Sequence, residues 1–325
     1  MTDLTQARNA LEEAQLRVPH GFTARVLEPS PPAVDDGDFY ADDPASLGDA
    51  DPATTIRPHS PGDSTWAQLA ADDTELADFS RERGLGPWTE LSQAPEGYPA
   101  SRADFHKLAS SVVAAARHQS NGKFGLRFTA GGFGTPFFGN DRQVRMVGNV
   151  LVDQQAGTVR THKPTSLNDA AAFLDVEVST VASEGDVPEL GDRDRTLDLG
   201  AETGAFLGNW YAFAVSVLEE LRAETAADAN PSRVQLWPGH FDPAIEIGDQ
   251  DKGHRASIGA SPGDHSVDEP YLYVGPWGAV PDHGYWNAEG FTGAVLSYAD
   301  LIAAEDQRAA ALAFYRKGIS LLAQI

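Results

Sequence analysis

VQLWPGHFD (residues 234–242), continued by PAIEIGDQDKGHRASIGASPGD over residues 243–264, is the stretch that decides how this chain is read. A strand sends successive side chains to opposite faces. Phe241, Ile245 and Ile247 then share one face, and His240, Asp242 and Glu246 the other. The turn Gly248–Gly253 returns the chain, so that His254–Ala260 is expected to pair antiparallel with the first strand. The simplest register sets Ile247 against His254, Ile245 against Ala256 and Phe241 against Ala260, which keeps one side apolar. It also sets Glu246 against Arg255, a cross-strand ion pair with a structural role. Asp242 and His240 fall opposite Gly259 and Ser261, at the end where no basic partner is placed, and are the candidate functional pair.

Around this pair the sequence is rich in rings. Tyr271 and Tyr273 share a strand face opposite Leu272 and Val274, while Trp277, Tyr285 and Trp286 lie in Gly- and Pro-rich loops. Large rings in such loops either plug the surface or wall a pocket. A pocket walled by Trp237, Trp277 and Trp286, with His240 and Asp242 as polar anchors, suits a sugar or another small polar molecule. His240, Asp242 and His265 together offer three nitrogen or oxygen ligands, the number a catalytic Zn²⁺, Mn²⁺ or Fe²⁺ needs. Their spacing matches no metal-site signature, so a divalent metal is the alternative.

Other motifs reduce to turns. Residues 249–260 begin like a calcium loop but end on Ala260, where a bidentate Glu is required. Gly259-Ala260-Ser261-Pro262-Gly263 has the letters of a nucleophile elbow, but Pro262 has no N–H for an oxyanion hole and no helix follows. Gly131-Gly132-Phe133-Gly134 has neither the spacing of a dinucleotide fingerprint nor the Lys-Ser/Thr of a P-loop, so no nucleotide motif is present. Asp268 and Glu269 are neighbours and diverge on a strand, which leaves no ready glycosidase pair.

Outward from this region, short β-branched or alternating runs at 124–129, 142–147, 150–153 and 158–162 predict an antiparallel meander. Ser101-Arg102-Ala103-Asp104 reads as a capping box opening a helix that ends near Gly122. Ser166 with Asp169 opens a helix through Leu174. The longest helix spans about 201–227, with Phe206, Trp210, Phe213, Val217 and Leu221 on an apolar stripe whose rings belong to the core. A last helical stretch spans about 300–322. The order fits an α+β fold with two largely antiparallel β regions flanked by helices.

Three segments are expected: an N-terminal helix and lead-in over 1–27, an acidic Pro-rich loop or linker over 28–63, and a single α+β domain over 64–325. Short helices are expected over 66–71 and 72–83. The 325 residues carry 48 acidic and 24 basic side chains, a net charge of −24, and no cysteine. That composition disfavours nucleic-acid and anionic-membrane partners and excludes thiolate chemistry and disulfides. No apolar run reaches 18 residues, and MTDLTQARNALEEAQLRV lacks the apolar core of a secretory signal, so a cytoplasmic location is expected.

GGFGTPFF (131–138), WPGHFDPA (237–244) and GASPGD with EPYLYV (259–274) resemble blocks of an uncharacterised bacterial family of unknown function. The resemblance covers roughly residues 104–315 and implies two β regions separated by a helix, with no catalytic residue attached. Three functions from different classes follow. The favoured one is binding of a small polar ligand in the aromatic-walled pocket at the end of the second sheet. The others are a metal-dependent, hydrolase-like enzyme using His240, Asp242 and His265, and a non-catalytic interaction protein with residues 28–63 as an acidic arm.

Overall fold

The structure is a computed structural model and describes residues 52–53, 89–139, 142–156, 158–180, 187–232 and 234–324. The helices expected over 1–27, 66–71 and 72–83 lie outside these residues, as does the acidic segment 28–63 apart from Pro52 and Ala53.

Two five-stranded antiparallel sheets form the frame. The first runs in chain order through β1 (Arg127–Thr129), β2 (Gly132–Gly134), β3 (Arg142–Val147), β4 (Val150–Gln155) and β5 (Thr158–His162). The second runs through β6 (Gln235–Trp237), β7 (Asp242–Ile247), β8 (Ala256–Ser261), β9 (Tyr271–Pro276) and β10 (Ala294–Ser297). Among the described residues the α-helices are α1 (Tyr98–Leu108), α2 (Ala114–Asn121), α3 (Leu167–Leu174), α4 (Ala201–Glu224), α5 (Tyr298–Ile302) and α6 (Gln307–Leu322). A π-helical turn, Ala109–Val113, carries α1 into α2. The fold is α+β, as the sequence order implies.

The sheets meet edge to edge. Leu126, just ahead of β1, and Leu236 of β6 exchange two backbone hydrogen bonds of 2.9 and 3.1 Å. One apolar cluster then joins Met146 and Leu151 of the first sheet, Ile245, Ile258 and Val274 of the second, and Trp210, Phe213 and Leu218 of α4. The aromatic stripe of α4 is core; burying each such ring contributes about 2–3 kcal/mol. Where α4 crosses the first sheet, Gly204 and Gly208 take the contact positions one turn apart. A Cβ on Gly208 would lie 2.6 Å from the Gly131 carbonyl.

The capping box at Ser101 is overridden. α1 starts four residues earlier, after Gly97 in the left-handed region at φ 73°. Ser101 instead donates to the Asp198 carbonyl, 2.8 Å, and accepts from Gly200 N–H. Asp104 takes the Arg195 guanidinium and the Asp198 N–H. Both side chains therefore serve the segment leading into α4 rather than their own helix end. The cap at Ser166 does form, accepting from Asp169 N–H at 3.1 Å. The last helical stretch is two helices, separated at Asp306, which caps α6 by accepting from Ala309 N–H at 2.8 Å.

Candidate ligand-binding site

The second sheet has one face on the core and one face open. Ile245 and Ile247 of β7, Ala256, Ile258 and Ala260 of β8, and Leu272 and Val274 of β9 point inward and are buried. The alternate residues, Asp242, Glu246, Ser257, Ser261, Tyr271 and Tyr273, line a cavity of about 1240 Å³ over the outer face. The loop 287–292 forms its opposite rim. The pocket thus lies across the sheet face and not only at its end.

The strand expected to run through Trp237 is broken into a hairpin. Trp237 pairs with Asp242, and Pro238–Phe241 make the loop between β6 and β7. Phe241 sits at φ 60°, where a bulky side chain is strained, so the neighbours must hold it. Tyr211 of α4 donates its hydroxyl to the Phe241 carbonyl at 2.7 Å. His106 of α1 stacks on the Phe241 ring, centroids 5.1 Å apart and planes within 6°, and its Nε2 meets the Pro238 carbonyl at 2.9 Å. Burial, opposed by the Pro238 and Gly239 backbone and reinforced by Arg102 and His240, brings the His106 imidazole down to about 4. A neutral His106 is the donor to that carbonyl. The distorted turn puts the Phe241 ring in the core and leaves His240 exposed at the cavity mouth.

The β7–β8 register is two residues off the simplest one: Ile247 faces Ala256 and Ile245 faces Ile258. The turn is longer than Gly248–Gly253 because Asp249 accepts from Asp251 N–H and its carbonyl from His254 N–H. An even shift leaves every side chain on its expected face. Glu246 still reaches Arg255, now diagonally, at 2.7 Å, with both side chains buried. The Arg255 guanidinium lies over the Trp277 ring, 5.3 Å from its centroid.

Asp242 forms the floor. It is 2% exposed and accepts from the Tyr273 hydroxyl at 2.5 Å. Tyr273 reaches it from β9 by lying across Gly259 of β8, where a Cβ would stand 2.5 Å from its hydroxyl oxygen. Burial pushes the Tyr273 hydroxyl well above its ordinary pKa, and the Asp242 carboxylate pushes it further, so Tyr273 stays a donor. Beside it Tyr271 donates to Asp264 at 2.6 Å. Burial raises the Asp264 carboxyl, but the Tyr271 hydroxyl and the N–H groups of Ser266 and Val267 outweigh it and hold Asp264 below the usual value.

Of the residues singled out in the sequence, Trp237, His240, Asp242, Trp277 and His265 line the cavity together. Trp286 does not: its ring packs edge-on against Tyr285, 4.9 Å between centroids, and against the core. The coordination site of His240, Asp242 and His265 does not assemble. Among the described residues no three His, Asp or Glu side chains come together to hold a metal. Asp242 lies on the cavity floor, bonded to Tyr273, whereas His240 and His265 are exposed in loops beyond the strands. Ser261 ends β8 in a turn, accepting from Gly263 N–H at 3.1 Å, with no helix behind it. Sequence reasoning did not give Tyr271, Tyr273, Asp264 or the loop 287–292 a part in the site. The two tyrosines carried a signal in their alternation with Leu272 and Val274; the loop, remote in sequence, carried none.

The frame and the cavity define an α+β protein with a roomy, aromatic-walled hollow on an open sheet face. Compared with known protein families, with curated proteins and with solved structures, the chain gives no match in any of the three.

Proposed function

We propose that this protein binds a small polar ligand in the hollow over the second sheet. The carrying observation is a cavity of about 1240 Å³ in which the rings of Trp237, Trp277, Tyr271 and Tyr273 stand beside Asp242, His240 and Ser261. Ligand sites combine apolar walls with a few placed polar groups in this way. Those polar groups are also pre-oriented: Tyr273 holds Asp242, and His106 and Tyr211 hold the turn that carries His240. Pre-ordered groups lose less freedom when a ligand arrives.

The test uses the purified full chain against a panel of sugars, amines, amino acids and organic acids, read by tryptophan emission and thermal melting. A ligand at one hundred times its dissociation constant should stabilise the fold by about 2.7 kcal/mol. Its emission change should shrink in Trp277→Phe. A panel that moves neither signal overturns the reading.

A further inference from the structure

We propose that the ligand of this hollow is an organic cation, a protonated or quaternary amine; this rests on the binding function proposed above.

The charges of the lining lead there. Asp242, Glu246, Asp264, Glu289 and Asp300 all contribute to the cavity wall, and among the described residues no Lys or Arg does. A phosphate, sulfate or carboxylate ligand would meet repulsion from the acids and no fixed cation to hold it. Glu246 is balanced by Arg255. Asp264, Glu289 and Asp300 make no ion pair with Lys or Arg among the described residues. The groups that orient two of them are neutral: the Tyr271 hydroxyl and two backbone N–H groups on Asp264, and the Ser297 hydroxyl on Asp300. Such donors fix a carboxylate in place and leave its charge.

The rings separate a cation from a neutral guest. Phe291 is 43% exposed on the rim, in the same loop as Glu289, and Trp277 is 37% exposed. Aromatic faces carry negative potential, and a cation over them gains more than its area burial alone. The protein already makes this contact at a ring of the cavity wall, with the Arg255 guanidinium over Trp277. Tyr271 sets another ring beside a carboxylate in the cavity wall, its hydroxyl donating to Asp264. The net charge of −24 favours cations over anions around the protein as a whole.

A matched pair tests the charge with shape held constant: choline against 3,3-dimethylbutan-1-ol, by titration calorimetry on the full chain at low and at 0.5 M salt. The expected result is at least tenfold tighter binding of a cation than of its neutral partner, weakened several-fold by salt. Glu289→Gln and Phe291→Ala, both at exposed positions, should each weaken the cation at least threefold with unchanged melting temperature. Asp264→Asn should weaken it tenfold, with its melting temperature recorded because Asp264 also fixes its turn. Equal binding of both members of the pair, or binding of neutral or anionic compounds while every cation fails, overturns the cation proposal and leaves the pocket standing. Failure of cations, neutrals and anions alike overturns both.

Discussion

His106 offers a prediction whose size follows from its surroundings. Its imidazole is 5% exposed, stacked on Phe241 and bonded to the Pro238 carbonyl, and burial holds its pKa near 4. In the unfolded chain an imidazole titrates near 6.5. As pH falls below that value the unfolded state takes up the proton first, so the fold loses stability and goes on losing it until the folded imidazole also protonates near pH 4. The loss from this one group amounts to about 2 kcal/mol at pH 5 and about 3 kcal/mol at pH 4. Carboxylates titrate over part of the same range, so the variant His106→Gln is compared with the parent by urea unfolding at pH 7, 6, 5 and 4. Gln keeps an N–H for Pro238 and cannot titrate. At pH 7 it should cost about 1 kcal/mol through the lost ring stack. Between pH 7 and pH 5 the gap between parent and variant should close or reverse by about 2 kcal/mol. Parallel pH profiles would refute the argument that a neutral, desolvated His106 braces the 238–241 turn.

Three further perturbations follow from contacts described above. Gly259→Ala places a Cβ against the Tyr273 hydroxyl, so it should cost about 1–3 kcal/mol and weaken ligand binding as much as Tyr273→Phe does, in the same calorimetry. Glu246→Gln strands a buried guanidinium and should cost about 3–5 kcal/mol in urea unfolding, whereas Glu246→Leu with Arg255→Met should recover most of it. Gly208→Ala gains about 1 kcal/mol of helix propensity yet should lower the melting temperature, because the new methyl meets the Gly131 carbonyl.

What was legible in the sequence followed physical period. The inward and outward faces of β7, β8 and β9 could be read from alternation, and the ion pair of Glu246 with Arg255 survived a two-residue register shift because parity was kept. The shift itself came from the Asp249 turn, whose backbone bonds depend on which carbonyl the loop reaches. The left-handed Phe241 had no sequence cue: the conformation is imposed by Tyr211 and His106 from helices distant along the chain. β2 was hidden because Gly132 and Gly134 have no side chains to alternate; they sit where a Cβ would strike Met146 or Arg145 of β3. Ser101 failed as a cap because a distant segment, Asp198 to Gly200, competed for its hydroxyl. Trp286 left the site for a similar reason, having found Tyr285 and the core.

The exchange of backbone bonds between Leu126 and Leu236 has a consequence for how this protein behaves in crowded solution. Four sheet margins are reduced to two, because β1 and β6 screen one another from strangers. Among the described strands, the two remaining outer margins are β5 and β10. β5 carries Arg160 and His162, polar side chains that discourage strand-by-strand accretion. The remaining margin, β10, borders the hollow, where Val295 and Ser297 contribute to the wall. There the Asn287 side chain accepts from the Val295 N–H and donates to its C=O, so the loop that rims the hollow also blocks that edge to an incoming chain.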